Sequence, residues 1–325
     1  MPTYSRFTTV FVQTSKFTGN LKFSTIDKYM SLSDFVIILD RSDPTRCYSD
    51  LTLLATARPV LNGANRPVLS IMTVCATPSK FTNYYDLFRH EILHGLGFGM
   101  FNPIYEYQQS PKSSIYPWET PYGTQTANRT YLDFHRKALT VAKKHFECNT
   151  LGGVEADDLN KNHLNEYVYG NELMTPILAD NKNYFSSISA AILEDTFYGT
   201  RPWYTVNYTY TAREANEYWY GKGLGCDFVE KSCYTFIRNR QGKPGHTFPI
   251  CSSSNKNFCI FGSNKKLYLS QSKCKKSSMN HSNKIADNGI TAFPGSPYFD
   301  AVHRFCPFDE NFEIMPSNFR ISPCN

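Results

Sequence analysis

The run HEILHGLGFGM, residues 90 to 100, limits what this chain can fold into more than any other stretch. His90 and His94 are four positions apart, so on a helix they lie on one face, one turn above the other. Glu91 then falls at the flank of that face. Gly95, Gly97 and Gly99 follow within a few residues and end the helix, because glycine readily takes the left-handed conformation that closes a C-terminus. Upstream, Tyr84, Leu87 or Phe88, Ile92 and Leu96 recur at helical spacing, which predicts a helix from Asn83 to Leu96.

That helix needs a sheet to lie on. FVIIL (35–39), LTLLATA (51–57) and VLSIMTV (68–74) read as three strands, and RPVLNGANRP as the connection between the last two. Three strands and then a helix predict a small α/β layer with one sheet face covered. Residues 1–30 show no clean periodicity. Residues 101–125, rich in Pro, Tyr, Gln and Ser, read as an irregular loop. Further helices are expected over Tyr131–Phe146 and Tyr184–Phe197. After Gly221 short runs alternate with Ser, Asn, Lys, Gly and Pro, and these segments are too polar to hold a core without crosslinks.

Two imidazoles can converge on one ion at Zn–N distances of about 2 Å, with the intervening glutamate near a metal-bound water. This is the H-E-x-x-H helix pattern of zinc peptidases. Two ligands do not complete a site. The compact extended form, H-E-x-x-H-x-x-G-x-x-H, would place a third histidine at position 100. Gly97 fits that pattern, but position 100 is Met100, so the third ligand comes from elsewhere. The remaining histidines are His135, His145, His163, His246, His281 and His303. His163 stands out because it shortly precedes Met174 in NELMTP, where a methionine on a tight turn before Pro176 would form an apolar floor beneath the metal. A zinc aminopeptidase would instead need a glutamate ligand on a second helix, for which Glu194 is the one candidate, and the His163–Met174 pairing fits better.

The ten cysteines fall mostly after residue 140, with Cys47 and Cys75 as a separate candidate pair. This even, disulfide-like usage predicts an oxidising compartment. N-x-S/T triplets at Asn128, Asn207 and Asn280 agree with secretion. The N-terminus nonetheless has no long apolar stretch of the kind a signal peptide carries, and no segment is long enough to span a membrane. Either export by another route or, as the preferred reading, a longer precursor of which this sequence is part is therefore expected. A formal charge of +6 is scattered, and its densest group, Lys273, Lys275 and Lys276, lacks the interleaved aromatics of a nucleic-acid surface.

The chain resembles the leishmanolysin-type metallopeptidases, metzincins with an insertion between the glycine and the third histidine. HEILHGLGF carries the first part of the resemblance and Glu172-Leu173-Met174 the methionine turn. FECNTLGGVEADD (146–158), AAILEDTFYGTRPWYTVNY (190–208) and YGKGLGCDFVEKSC (220–233) are similar to the segments that follow in the family. The resemblance covers about residues 34–310. It departs at Leu164, where the family often has tryptophan, and at Leu69-Ser70, where a smaller pair is common.

The resemblance implies an α+β metzincin-type zincin: a small mixed sheet with an active-site helix, an inserted mainly helical central region, and a disulfide-rich irregular C-terminal domain. The expected divisions are 1–97, 98–205 and 206–325. It further implies one Zn²⁺ per chain held by His90, His94 and His163, with Glu91 activating a zinc-bound water for peptide hydrolysis and Met174 and Gly97 as structural residues under the metal. Protein or peptide substrates, no nucleic acid, a monomer, and an extracellular or cell-surface location are the corresponding expectations. The alternative is a catalytically weak adhesion or interaction module on the same scaffold.

Overall fold

The computed structural model describes residues 7–11, 33–40, 47, 53–62, 66–75, 83–99, 112–120, 123–132, 136–157, 161–179, 182–198, 201–241, 243, 245–252, 258–261, 266–269, 306, 309 and 320–323. The chain divides into two compact units. One comprises Met1–Gln109 with Ile192–Val206, the other Ser110–Ala191 with Asn207–Asn325.

In the first unit, β1 (Phe7–Phe11), β2 (Phe35–Asp40), β3 (Ala55–Leu61) and β4 (Pro67–Val74) form one sheet in the order β1-β2-β4-β3. The β1–β2 and β2–β4 pairs are parallel, and β3 runs antiparallel to β4. Side chains alternate across the sheet as a strand's period of two requires. Phe35, Ile37 and Met72 face one way and pack with Phe88, Ile92 and Leu96 of helix α1 (Tyr84–Gly95). Val36, Ile38 and Leu69 form a second cluster with Val68 and Ile71. Each large side chain removed from water in this way contributes about 1.5–3 kcal/mol before ordering costs. The Cys47–Cys75 disulfide anchors the residue that follows β4.

Three of the strand and loop expectations change. The second strand lies at 55–61 rather than 51–57, so Arg58–Leu61 belong to a strand and not to a connection. Pro59 misled the reading; it is tolerated because β3 is an edge strand, where a missing N–H need not break a ladder. β1 lies in the stretch where no periodicity is visible. Part of the expected loop at 101–125 is instead a hairpin.

That hairpin is in the second unit. β5 (Lys112–Thr120) pairs antiparallel with β6 (Gly123–Leu132), and β6 with β7 (Val154–Ala156). Helix α2 spans Arg136–Phe146, starting later than expected because Tyr131 and Leu132 are buried in β6. Its buried residues Ala138, Ala142 and Phe146 recur every fourth position, a single stripe turned to the core. Short helices α3 (Glu166–Tyr169), α4 (Ser187–Glu194), α5 (Tyr208–Glu217), α6 (Cys226–Glu230) and α7 (Cys233–Arg240) follow. In the segment Ile192–Val206, which belongs to the first unit, β8 (Phe197–Tyr198) pairs with β9 (Arg201–Pro202). The third predicted helix is therefore shorter than 184–197, with Tyr184 in a β-bridge to Glu172 and Phe197 in β8.

Arg129 is almost fully buried in β6. Its guanidinium donates to the Glu155 carboxylate and to the carbonyls of Val229 and Glu230, between the rings of Tyr116 and Tyr131. This ties the sheet to the start of the cysteine-rich segment. Nearby, Phe146, Tyr167, Tyr220, Phe228 and Phe236 form an aromatic cluster. The Cys148–Cys226 and Cys233–Cys306 disulfides close this region, and β10 (Phe258–Phe261), β11 (Lys266–Leu269) and β12 (Arg320–Pro323) form a small antiparallel sheet. The fold is thus α+β, with small sheets, an insertion that carries α2, and a disulfide-rich C-terminal region. Among the described residues no helix is long and apolar enough to cross a membrane. His135, His281, His303 and Met100 lie outside the described residues, as do Asn280, Cys274, Cys324 and Lys273–Lys276.

Candidate metal centre

α1 begins where the side chain of Asn83 accepts the amide of Asp86, and it ends at Leu96. Both boundaries agree with the sequence reading. His90, Glu91 and His94 are all buried on this helix. The His90 and His94 Nε2 atoms face each other at 3.0 Å. Two imidazoles on one tetrahedral zinc would hold their nitrogens roughly 3.3 Å apart, so the observed pair is close to a chelating arrangement.

Gly97 explains how His94 is oriented. Its φ of +99° is in the left-handed region, and it folds the chain back so that the Phe98 carbonyl meets His94 Nδ1 at 3.0 Å. Nδ1 donates that bond, which leaves the Nε2 lone pair for a metal. Burial lowers the His94 pKa, against the opposing effect of the Phe98 bond, so the ring is held neutral. A Cβ at position 97 would also come within 2.8 Å of Trp203, whose neighbour Tyr204 donates its hydroxyl to the Leu96 carbonyl at 2.6 Å.

Glu91 accepts from the backbone amide of Ala57 in β3. Its Oε2 is buried and has no hydrogen-bond partner. Desolvation dominates, and pushes its pKa up to about 8 despite the Ala57 bond. A buried carboxylate oxygen without a partner is costly in a resting fold. Beside two imidazole nitrogens it suits a site completed by a cation and water.

His163 lies between β7 and α3. Its N–H donates to Asp157 Oδ1 at 3.0 Å, and its carbonyl accepts the Asp157 amide at 3.0 Å. The next amide, of Leu164, donates to the Met174 carbonyl at 2.9 Å. Met174 is fully buried. His163 is, with His90 and His94, a candidate ligand of one metal ion. Three neutral imidazoles are a donor set suited to zinc. A second such group, Cys148, Cys226 and Glu230, offers no thiolate because the two cysteines are joined in a disulfide.

The other candidates are elsewhere engaged. His145 stacks on Tyr218, and its Nε2 bonds the Tyr220 carbonyl at 2.8 Å. His246 lies against Phe258. Glu194 belongs to no metal-competent group among the described residues. Sequence reasoning missed Ala57, Phe98 and Asp157. The first two act through backbone groups, which carry no sequence signal, and Asp157 is one of two adjacent aspartates with nothing in the sequence to tell its role.

Comparison with known proteins agrees. The leishmanolysin profile of peptidase family M8 matches residues 29–287. A leishmanolysin-like peptidase of Caenorhabditis elegans is 26% identical over 262 residues, covering 68% of this chain and 38% of that protein. One from Drosophila melanogaster is 26% identical over 265 residues, covering 68% of this chain and 37% of its own length. The chain thus spans less than two-fifths of the length of these curated relatives. With most of its length matched by one family profile, the chain belongs to the leishmanolysin family.

Proposed function

We propose that this protein is a zinc endopeptidase in which His90, His94 and His163 hold the metal and Glu91 is the proton-transferring residue. The observation that carries the reading is the pair of facing imidazole nitrogens on α1 beside a buried, partnerless glutamate oxygen, with His163 as the candidate third ligand. Bound zinc would supply Lewis acidity, making water more acidic and polarising the scissile carbonyl. Glu91 takes a proton from the attacking water and delivers it to the departing amine as the C–N bond breaks. Its Ala57 bond orients the carboxyl and leaves Oε2 for this task. Phe98 and Gly97 keep His94 in the ligating tautomer. Met174, fully buried, acts as the apolar floor.

Protein or peptide substrates and a monomeric enzyme belong to the same reading. The disulfides support an extracellular or cell-surface setting. The test is metal content together with casein hydrolysis. Wild-type protein with intact disulfides binds one zinc and cleaves casein, and a chelator stops it. Glu91→Gln keeps the zinc and loses hydrolysis by about two to four orders of magnitude. A metal-loaded wild type that leaves casein and other unfolded proteins intact would instead support a non-catalytic interaction module.

A further inference from the structure

Glu172 is the buried carboxylate that the mechanism above does not use. It is fully enclosed, and among the described residues no cation contacts it. It is surrounded by donors instead. Oε2 accepts the Met174 amide, at 2.5 Å; Oε1 accepts the Ser186 amide at 3.0 Å and the Ser186 hydroxyl at 2.8 Å. The Ser189 hydroxyl is near enough to favour the charged form, without making a hydrogen bond of its own. Placing a carboxylate in such a site costs several kcal/mol unless its oxygens are satisfied. Backbone bonds, from Leu173 N to Tyr184 O at 2.8 Å and from Tyr184 N to Asn171 O at 2.9 Å, already secure the outer part of this turn.

What the carboxylate adds is control of one peptide. It fixes the amide of Met174, whose own carbonyl receives the Leu164 amide at 2.9 Å. Leu164 directly follows His163, and Asp157 holds His163 from the other side. The His163 backbone is therefore clamped between β7 and the methionine turn, and Glu172 sets one jaw of the clamp.

We infer that Glu172 is a positioning residue that aims the His163 imidazole by fixing the Met174 peptide. The inference rests on the metal-site reading above. A carboxylate is needed because every group around it is a donor. A glutamine in its place must turn an NH₂ toward either the Met174 amide or the Ser186 pair, which moves the turn and with it the ligand.

The test is cobalt and zinc binding to the full-length, disulfide-intact chain. Glu172→Gln is compared with Ser186→Ala, which removes one donor, and with Leu151→Ala, a buried change in the same unit. The Leu151 amide bonds the Cys148 carbonyl, and Leu151 makes no hydrogen bond to the turn among those described. Glu172→Gln should bind zinc roughly ten- to a hundredfold more weakly and change the visible spectrum of bound cobalt. Ser186→Ala should bind a few-fold more weakly. Leu151→Ala should lower the melting temperature with affinity and spectrum unchanged. Wild-type affinity and spectrum in Glu172→Gln would overturn the inference, as would an equal loss of affinity in Leu151→Ala. If Glu172→Gln does not fold, an unchanged affinity in Ser186→Ala overturns it. A wild type that takes up neither metal would bring down the metal-site reading, and the inference with it.

Discussion

Arg129 is where a single substitution should do most damage to the fold. Its charge is buried against Glu155, and its fork also satisfies the carbonyls of Val229 and Glu230. Burial alone would weaken its protonation, but the Glu155 carboxylate and its hydrogen bond more than offset that and hold it charged. Arg129→Ala leaves a carboxylate in a dry site without its partner, which costs about 3–5 kcal/mol. The two carbonyls lose charge-assisted bonds worth roughly 1.5–3 kcal/mol each, partly recovered if water enters the space. With that recovery, a total of at least about 5 kcal/mol is expected. Removing both charges should be milder: Arg129→Met with Glu155→Leu leaves only the carbonyls unserved, at about 2 kcal/mol. Urea unfolding of the disulfide-intact protein, followed by tryptophan fluorescence, measures both, with Trp118 buried in the same sheet as one reporter. A single variant that loses less than about 1 kcal/mol, or a double variant no better than the single, would refute the reasoning.

Gly170 closes α3 at a φ of +51°, and a Cβ there would lie 2.3 Å from the Tyr220 ring. Gly170→Ala should therefore displace that ring from its bond to the Tyr167 carbonyl and cost about 2–4 kcal/mol, visible as a lower melting temperature. Burial pushes the His145 and His246 pKa values down to about 4. Both rings are neutral when folded and protonate near pH 6.5 when unfolded, so their stability contribution is complete above that pH and is lost as pH falls toward 4, by up to about 3 kcal/mol for each ring. Urea midpoints at pH 7.5 and 5.0 should differ less in His145→Phe than in wild type; equal slopes would contradict this. The Cys148–Cys226 bond closes a loop of 78 residues, so replacing both with serine should cost up to about 4 kcal/mol in the unfolding free energy.

Local chemistry made α1 readable: a capping Asn83, an apolar stripe and a glycine run all lie within a few residues of one another. The two histidines and the glutamate of the candidate metal centre that α1 carries were readable for the same reason. His163 is singled out by its place shortly before Met174 of NELMTP, whereas the neighbours of both residues carry no such mark. β1 was hidden because its partner β2 begins at Phe35, far along the chain, and a parallel pairing leaves no short-range pattern. The β5–β6 hairpin was hidden by Ser, Gln and Pro, residues that usually mark loops. Nothing in the sequence marks Arg129 and Glu155 as buried, because pairing across the fold and not residue type put them inside. Pro59 pointed away from a strand, and only its place on the sheet's edge reverses that.

Gly95 carries a consequence for how this scaffold tolerates change. A Cβ at that position would sit 2.4 Å from Ser70 Oγ, and Ser70 is itself enclosed with a hydroxyl that bonds to nothing among the described residues. Positions 70 and 95 therefore share one small volume, where helix and strand nearly touch. Any lineage or library that enlarges one must shrink the other, and the exchange open to it is an alanine on the helix against a glycine on the strand.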